Sequence, residues 1–85
     1  MNPVIDEVGA KRWYDDAGEC HREDGPAVEY PNGDKYWVLN DMLHRLDGPA
    51  VERICGYKEW WIEGRRLCCH SNEEFLRIVK LKELL

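Results

Sequence analysis

His21-Arg22-Glu23-Asp24 and His44-Arg45-Leu46-Asp47 are two places in this 85-residue chain where a histidine is followed three residues on by an aspartate. Histidine titrates nearest neutrality, and a carboxylate three residues on could orient it as a general acid or base. A catalytic centre, however, converges different residues in one water-excluded pocket, whereas these stretches are near-copies of each other. Where a third copy would fall the chain carries Leu67, which packs but transfers no proton. No glycine-rich phosphate loop, serine nucleophile motif or H-E-x-x-H is present. The chain is therefore read as non-enzymatic. His21, Arg22, Asp24, Gly25 and Pro26, with His44, Arg45, Asp47, Gly48 and Pro49, are read as structural residues forming a ladder between neighbouring hairpins.

Cys20, Cys55, Cys68 and Cys69 are the other reactive groups. Two disulfides would need an oxidising compartment, which nothing in the sequence signals, so reduced thiols are expected. Cys68, Cys69 and His70, joined by Cys55 or His44, are zinc-donor types, but structural zinc sites draw on cysteine pairs two to four residues apart and adjacent cysteines chelate one ion poorly. The cysteines are read as small half-buried hydrophobes, with no metal and no cofactor.

The elements that must position these residues come from an internal repeat. His21 to Glu29 recurs as His44 to Glu52, identical at eight of nine positions and offset by 23. The same offset pairs Tyr14 with Trp37 and Trp60, Lys35 with Lys58, and Gly33 with Gly56. One domain follows, with units at residues 12–34 and 35–57, a partial third unit at 58–70, and residues 1–11 preceding the array. Lys35 to Leu39 and Lys58 to Ile62 are aromatic and β-branched, hence strand-like, and each is followed by a turn pair, Asn40-Asp41 or Glu63-Gly64. Asp24-Gly25-Pro26 and Asp47-Gly48-Pro49 read as further turns, with the aspartate bonding local backbone and the glycine at positive φ. The expected fold is mainly β, an antiparallel β-hairpin repeat sheet of about six to eight short strands.

The last segment, 71–85, changes period. Ser71-Asn72-Glu73-Glu74 has the form of a capping box, and Phe75, Leu76, Ile78, Val79, Leu81 and Leu85 then recur at helical spacing, with Lys82 interrupting the arc and Leu84 off it. A C-terminal α-helix capping the last hairpin is expected, since repeat arrays leave an apolar end uncovered.

Aromatic and charged residues supply the candidate binding surfaces. Tyr14, Trp37 and Trp60 share a repeat position and read as a packed cross-strand ladder, while Trp13, Tyr36 and Trp61 lie one residue away on the opposite face. Residues 1–34 carry nine acids against three bases, and residues 35–85 eight against nine, in a chain of formal charge -5. Such a balance argues against general nucleic-acid affinity. It points to Asp15, Asp16 and Glu19, at the first hairpin tip, as a surface for a basic protein partner. An alternative patch of Trp61, Arg65, Arg66 and Arg53 could take RNA as a secondary partner. The opening Met1-Asn2-Pro3-Val4-Ile5-Asp6-Glu7 lacks the basic region and apolar stretch of a signal peptide, and no run of 18 apolar residues exists, so a cytoplasmic location with no membrane partner is expected.

Trp37 to Ala50 follows the string W-x-x-N-G-x-x-H-R-x-D-G-P-A with Asp41 in place of Gly, and it resembles the degenerate MORN-type repeat of small proteins from tailed bacteriophages and giant viruses. The resemblance extends over about residues 12 to 76, and Glu59 to Leu67 followed by Glu73-Glu74-Phe75 is similar to the family's usual ending. Ala17 and Glu63 depart from the usual turn Asn, and the third unit lacks His-Arg. The resemblance implies an elongated, curled antiparallel sheet of 23-residue hairpin units. It also implies a phage-encoded accessory protein in the host bacterial cytoplasm that binds and inhibits a host protein, such as a toxin or nuclease, with no small-molecule substrate. The alternatives to this reading are an RNA-associated module that acts with a toxin ribonuclease and RNA through the basic and aromatic C-terminal half, and a structural or virion interaction repeat.

Overall fold

Turn residues interrupt this chain every few positions, so its strands are short. The computed structural model describes residues 3–83; the expected arc residues Leu84 and Leu85 lie outside the described residues. The strands are β1 (Val4–Ile5), β2 (Lys11–Arg12), β3 (Val28–Glu29), β4 (Lys35–Tyr36), β5 (Val38–Leu39), β6 (Met42–Leu43), β7 (Val51–Glu52), β8 (Lys58–Ile62) and β9 (Arg65–Leu67), and the helix α1 is Asn72–Glu83. Seven strands form one antiparallel sheet in the order β1-β2-β3-β4-β7-β8-β9, and β5-β6 forms a separate pair. The protein is thus mainly β with one C-terminal helix, as expected, although the nine strands among the described residues exceed the six to eight anticipated.

Register explains the charge pattern. Lys11, Glu29, Lys35, Glu52 and Lys58 stand directly opposite one another across five strands, alternating in sign. Opposite charges at facing positions favour this register over a one-residue slip. The adjacent row contains Val28 and Val51, which are buried.

Each hairpin extends from the sheet where a strand changes partner. Trp37 donates its N–H to the Ala50 carbonyl at 2.8 Å and accepts the His44 N–H on its own carbonyl at 3.0 Å, so the chain between His44 and Ala50 loops out. Asn40 and Asp41 (φ 51° and 63°) and Glu63 and Gly64 (φ 49° and 78°) turn the second and third hairpins, as the paired turn residues predict.

Within the segment read as preceding the array, Val4–Ile5 forms the terminal strand β1, and the turn after it recurs: Gly9 N–H to Asp6 carbonyl, Gly33 to Tyr30 and Gly56 to Arg53 are the same turn bond, at 3.0, 2.9 and 2.9 Å. Two expectations need correction. Trp13, not Tyr14, is the counterpart of Trp37, because Trp13 donates to the Ala27 carbonyl at 2.9 Å and its carbonyl accepts from His21 at 2.9 Å. The first hairpin is one residue longer, eight positions from Trp13 to His21 against seven from Trp37 to His44, which shifts the ladder by one. Finally, Gly25 and Gly48 are not at positive φ.

The helix begins as expected, with the Ser71 hydroxyl accepting the Glu74 N–H at 3.2 Å, while Glu73 and Glu74 place negative charge in the first turn. Its buried stripe is narrower than the sequence implies. Phe75 and Val79 pack with Trp60, Ile62, Leu67 and Cys69, whereas Leu76 and Leu81 are exposed.

Candidate functional site

Gly25 and Gly48 each lie against an arginine side chain. Arg22 stacks its guanidinium 3.9 Å over Trp13, and Arg45 lies 3.8 Å over Trp37. On the far side of each guanidinium is a glycine, where a Cβ would come within 3.1 Å of the Arg22 carbon and 2.9 Å of the Arg45 carbon. Arg45 Nε donates to Asp47 Oδ1 at 2.8 Å, and Nη1 donates to the Pro49 carbonyl at 3.0 Å and to Glu52 at 3.3 Å. Arg22 repeats the arrangement with Asp24 at 2.9 Å, Pro26 at 3.2 Å and, more loosely, Glu29 at 3.8 Å. The aspartates therefore bond the arginine side chain in addition to the local backbone contact expected. The arginine hydrogen bonds hold the carboxyls of Asp24 and Asp47 below the usual aspartate range.

The histidines join neighbouring hairpins. His21 Nδ1 accepts the Asn40 N–H at 3.0 Å, and His44 Nδ1 accepts the Glu63 N–H at 2.9 Å. Both donors sit at positive φ, where the turn aims its amide at the previous unit. These rings act as backbone acceptors, and each is half-buried against an exposed turn. The sequence had no direct signal for two further bridges: Asp41 Oδ1 accepts the Cys20 N–H at 2.5 Å, and Asp34 Oδ1 accepts the Ile54 N–H at 2.9 Å.

The acidic candidates divide by role. Asp15 Oδ1 accepts the N–H groups of Ala17 at 3.0 Å and Glu19 at 2.9 Å, closing the first turn as Asp6 closes the preceding one. Asp16 is exposed and Glu19 half-buried. An open groove of about 550 Å³ is lined by Trp13, Asp15, Asp16, His21, Arg22, Glu23 and Asp24. The corresponding groove on the second unit, about 570 Å³, has Leu39 and Leu46 at the positions of Asp15 and Glu23, and is itself lined by Glu23, Asp24 and Asp47.

The basic patch is internally paired. Trp61 is half-buried and donates its indole N–H to Glu59 at 2.9 Å, and Arg66 lies 3.6 Å from the same carboxylate and 3.2 Å from the Tyr57 hydroxyl. The Tyr57 hydroxyl also donates to Glu59, which lowers the Glu59 carboxyl from its ordinary value and raises the Tyr57 phenol. Arg53 lies 5.9 Å over Tyr57. Arg65 is exposed on β9.

All four cysteines are free thiols, and burial pushes the Cys20 and Cys69 thiols up, away from the reactive thiolate form. Among the described residues no group of three or more metal-donor side chains converges, and no helix is long and apolar enough to cross a membrane. Comparison of the chain with protein-family models, curated proteins and solved structures finds no match.

Proposed function

We propose that the protein is a non-enzymatic binding protein, a degenerate MORN-type hairpin array of the phage accessory class, which engages a basic surface of a host protein and inhibits it as a counter-defence or antitoxin-like factor. The observation that carries this reading is a division of labour among polar residues. The groups able to move protons, His21, His44, Asp24 and Asp47, are engaged in bonds to the fold's own backbone and arginines. The carboxylates of Asp16 and Glu23 line an open groove beside the buried Trp13, and Glu19 follows in the same hairpin. Such a surface attracts a cationic partner from a distance and acts mainly on association rate. A host nuclease or toxin, whose substrate-binding face is basic, is a partner of that chemistry.

The test combines capture from bacterial cells with kinetics on the purified partner. Asp16→Lys plus Glu19→Lys is expected to slow association about tenfold or more at low salt while leaving dissociation and melting temperature nearly unchanged. Association at the wild-type rate refutes the reading. If Arg65→Glu plus Arg66→Glu instead abolishes binding, and single-stranded RNA binds with a steep salt dependence, the RNA-associated role replaces it.

A further inference from the structure

The chain passes from β9 to α1 through Cys68, Cys69 and His70, and the two adjacent cysteines lie in different surroundings. Cys68 is exposed, whereas Cys69 is half-buried and packs against the cluster of Trp60, Phe75 and Val79 that holds the helix to the sheet. The backbone here is tightly bent: Cys69 donates its N–H to the Leu67 carbonyl at 3.0 Å, a three-residue turn centred on Cys68. The helix cap begins directly after the pair, with the His70 N–H donating to Glu74 Oε2 and the Glu74 N–H donating to Ser71 Oγ, each at 3.2 Å. Both cysteines line an open groove of about 390 Å³ together with Lys58, Trp60, Arg66 and His70. Glu59, also on its wall, has its carboxylate engaged by Tyr57, Trp61 and Arg66.

This arrangement separates the two roles that thiol–disulfide exchange needs. The first nucleophile must be reachable by a disulfide in solution, and Cys68 is. The second must stand beside it and react later. Burial, the Glu74 carboxylate and the Cys68 sulfur push the Cys69 thiol up, which holds back its thiolate. Once Cys68 is in a disulfide it carries no charge, and that part of the restraint on Cys69 is removed.

We propose that Cys68 and Cys69 form a redox switch that a low-molecular-weight disulfide of the glutathione type closes, and that its closure loosens helix α1 from the sheet. The Cys68 thiolate attacks one sulfur of glutathione disulfide, whose S–S bond breaks; one glutathione leaves as a thiolate and takes up the proton that Cys68 released. Cys69 then loses its proton, attacks Cys68 Sγ and expels the second glutathione. Two protein thiols are oxidised to a disulfide, and one glutathione disulfide is reduced to two thiols. The ring so formed includes the Cys68–Cys69 peptide, so its closure acts on the backbone between β9 and α1. Bonding the Cys69 sulfur to that of the exposed Cys68 draws it away from the helix cluster. A strained disulfide is also the more easily reduced, which suits a reversible device. The switch does not depend on the proposed function, since it lies at the β9 end of the sheet and the acidic groove belongs to the first unit.

The test equilibrates the purified protein in mixtures of reduced and oxidised glutathione, quenches with acid, alkylates free thiols and maps the peptides by mass spectrometry. The wild type is expected to lose two hydrogens, with Cys68 and Cys69 joined within one peptide. Its helical circular dichroism should melt roughly 5 °C earlier, and dithiothreitol should restore both properties. Cys69→Ala removes the second nucleophile and is expected to accumulate the mixed disulfide at Cys68 at least tenfold above the wild type, while Cys20→Ala plus Cys55→Ala keeps the wild-type response. Glutathione on Cys20 or Cys55 with none on Cys68, a mixed disulfide that persists in the wild type, or an oxidised helix that melts as the reduced one does overturns the switch. Should Cys69→Ala fail to fold, acid quenching of the wild type at successive times must show the mixed disulfide at Cys68 rise and decay, and its absence overturns the mechanism equally.

Discussion

Replacing Gly48 with alanine tests whether the Asp-Gly-Pro loop is a conformational device or a slot for an arginine. The added Cβ would lie 2.9 Å from Arg45 Cζ, 3.1 Å from Nε and 3.2 Å from Nη1. The Arg45 guanidinium, the far end of a flexible side chain, must shift, and because it lies 3.8 Å over the Trp37 ring the shift puts at stake a cation–π contact of about 0.5–2 kcal/mol and a charged hydrogen bond to the Pro49 carbonyl of roughly 1.5 kcal/mol. The ion pair with Asp47 adds little, since that side chain is 85% exposed. A loss of about 2 kcal/mol is expected, which for a domain of this size lowers the melting temperature by roughly 8–16 °C. Urea and thermal unfolding of Gly48→Ala, Arg45→Ala and the double variant form the assay. With Arg45 truncated the slot is empty, so Gly48→Ala should then cost only a few tenths of a kcal/mol. If the glycine substitution costs as much in the Arg45→Ala background as in the wild type, the slot argument is wrong and the backbone itself requires glycine.

The remaining expectations concern the links between units and the end of the array. His44→Ala removes the acceptor of the Glu63 N–H, so it should destabilise by about 1 kcal/mol and raise hydrogen exchange at the Glu63 amide above that of other turn amides. The depressed carboxyls of Asp24 and Asp47 give a signed pH dependence: their stabilising contribution is present above the ordinary aspartate pKa of about 4 and is lost as pH falls through the lower folded-state values. Acid unfolding followed by tryptophan fluorescence should accordingly be shallower in an Arg22→Ala plus Arg45→Ala variant, measured relative to its own neutral-pH stability. Asp15→Lys deletes two turn hydrogen bonds and should lower the melting temperature, whereas Asp16→Lys should leave it within about 2 °C, corresponding to the roughly 0.5 kcal/mol of an ordinary surface change. Phe75→Ala removes the large side chain that is fully buried among the described residues and is expected to cost about 3–4 kcal/mol, read as early loss of helical signal on heating.

Much of the architecture was legible because the chain states it twice. The copy of His21 to Glu29 at His44 to Glu52 announced hairpins and marked their turns, and the switch to helical spacing after Ser71 announced the cap. What was not legible depended on insertions and on distance. One extra residue between Trp13 and His21 makes a fixed offset align Tyr14 with Trp37, although hydrogen bonding places Trp13 there. Comparing the spacing from tryptophan to histidine in the two units would have exposed the shift. Gly25 and Gly48 were misassigned for a different reason. A glycine in a turn suggests positive φ, whereas here it leaves room for a guanidinium that local sequence does not place. Asp15 likewise counted as surface charge until its carboxylate was found closing a turn.

The way the array ends gives it a direction. In the first two units a tryptophan is covered by its own arginine, but Trp60 is covered by the helix: its ring centroid lies 6.4 Å from that of Phe75, and its indole N–H donates to Asn72 Oδ1 at 3.2 Å. The positions that would carry the third histidine and arginine hold Leu67 and Cys68, and Leu67 packs into the helix cluster. A histidine there would have no following turn amide to accept, and an arginine would compete with Phe75 for the ring. The loss of His-Arg in the third unit is thus the local consequence of ending the sheet with a helix. No corresponding cover lies over β1 among the described residues, and the same end of the chain carries the excess of carboxylates. A bare strand edge invites indiscriminate pairing, and charge is one means by which proteins restrict what may pair there. At this edge the charge is negative, which sets it against pairing with another acidic chain.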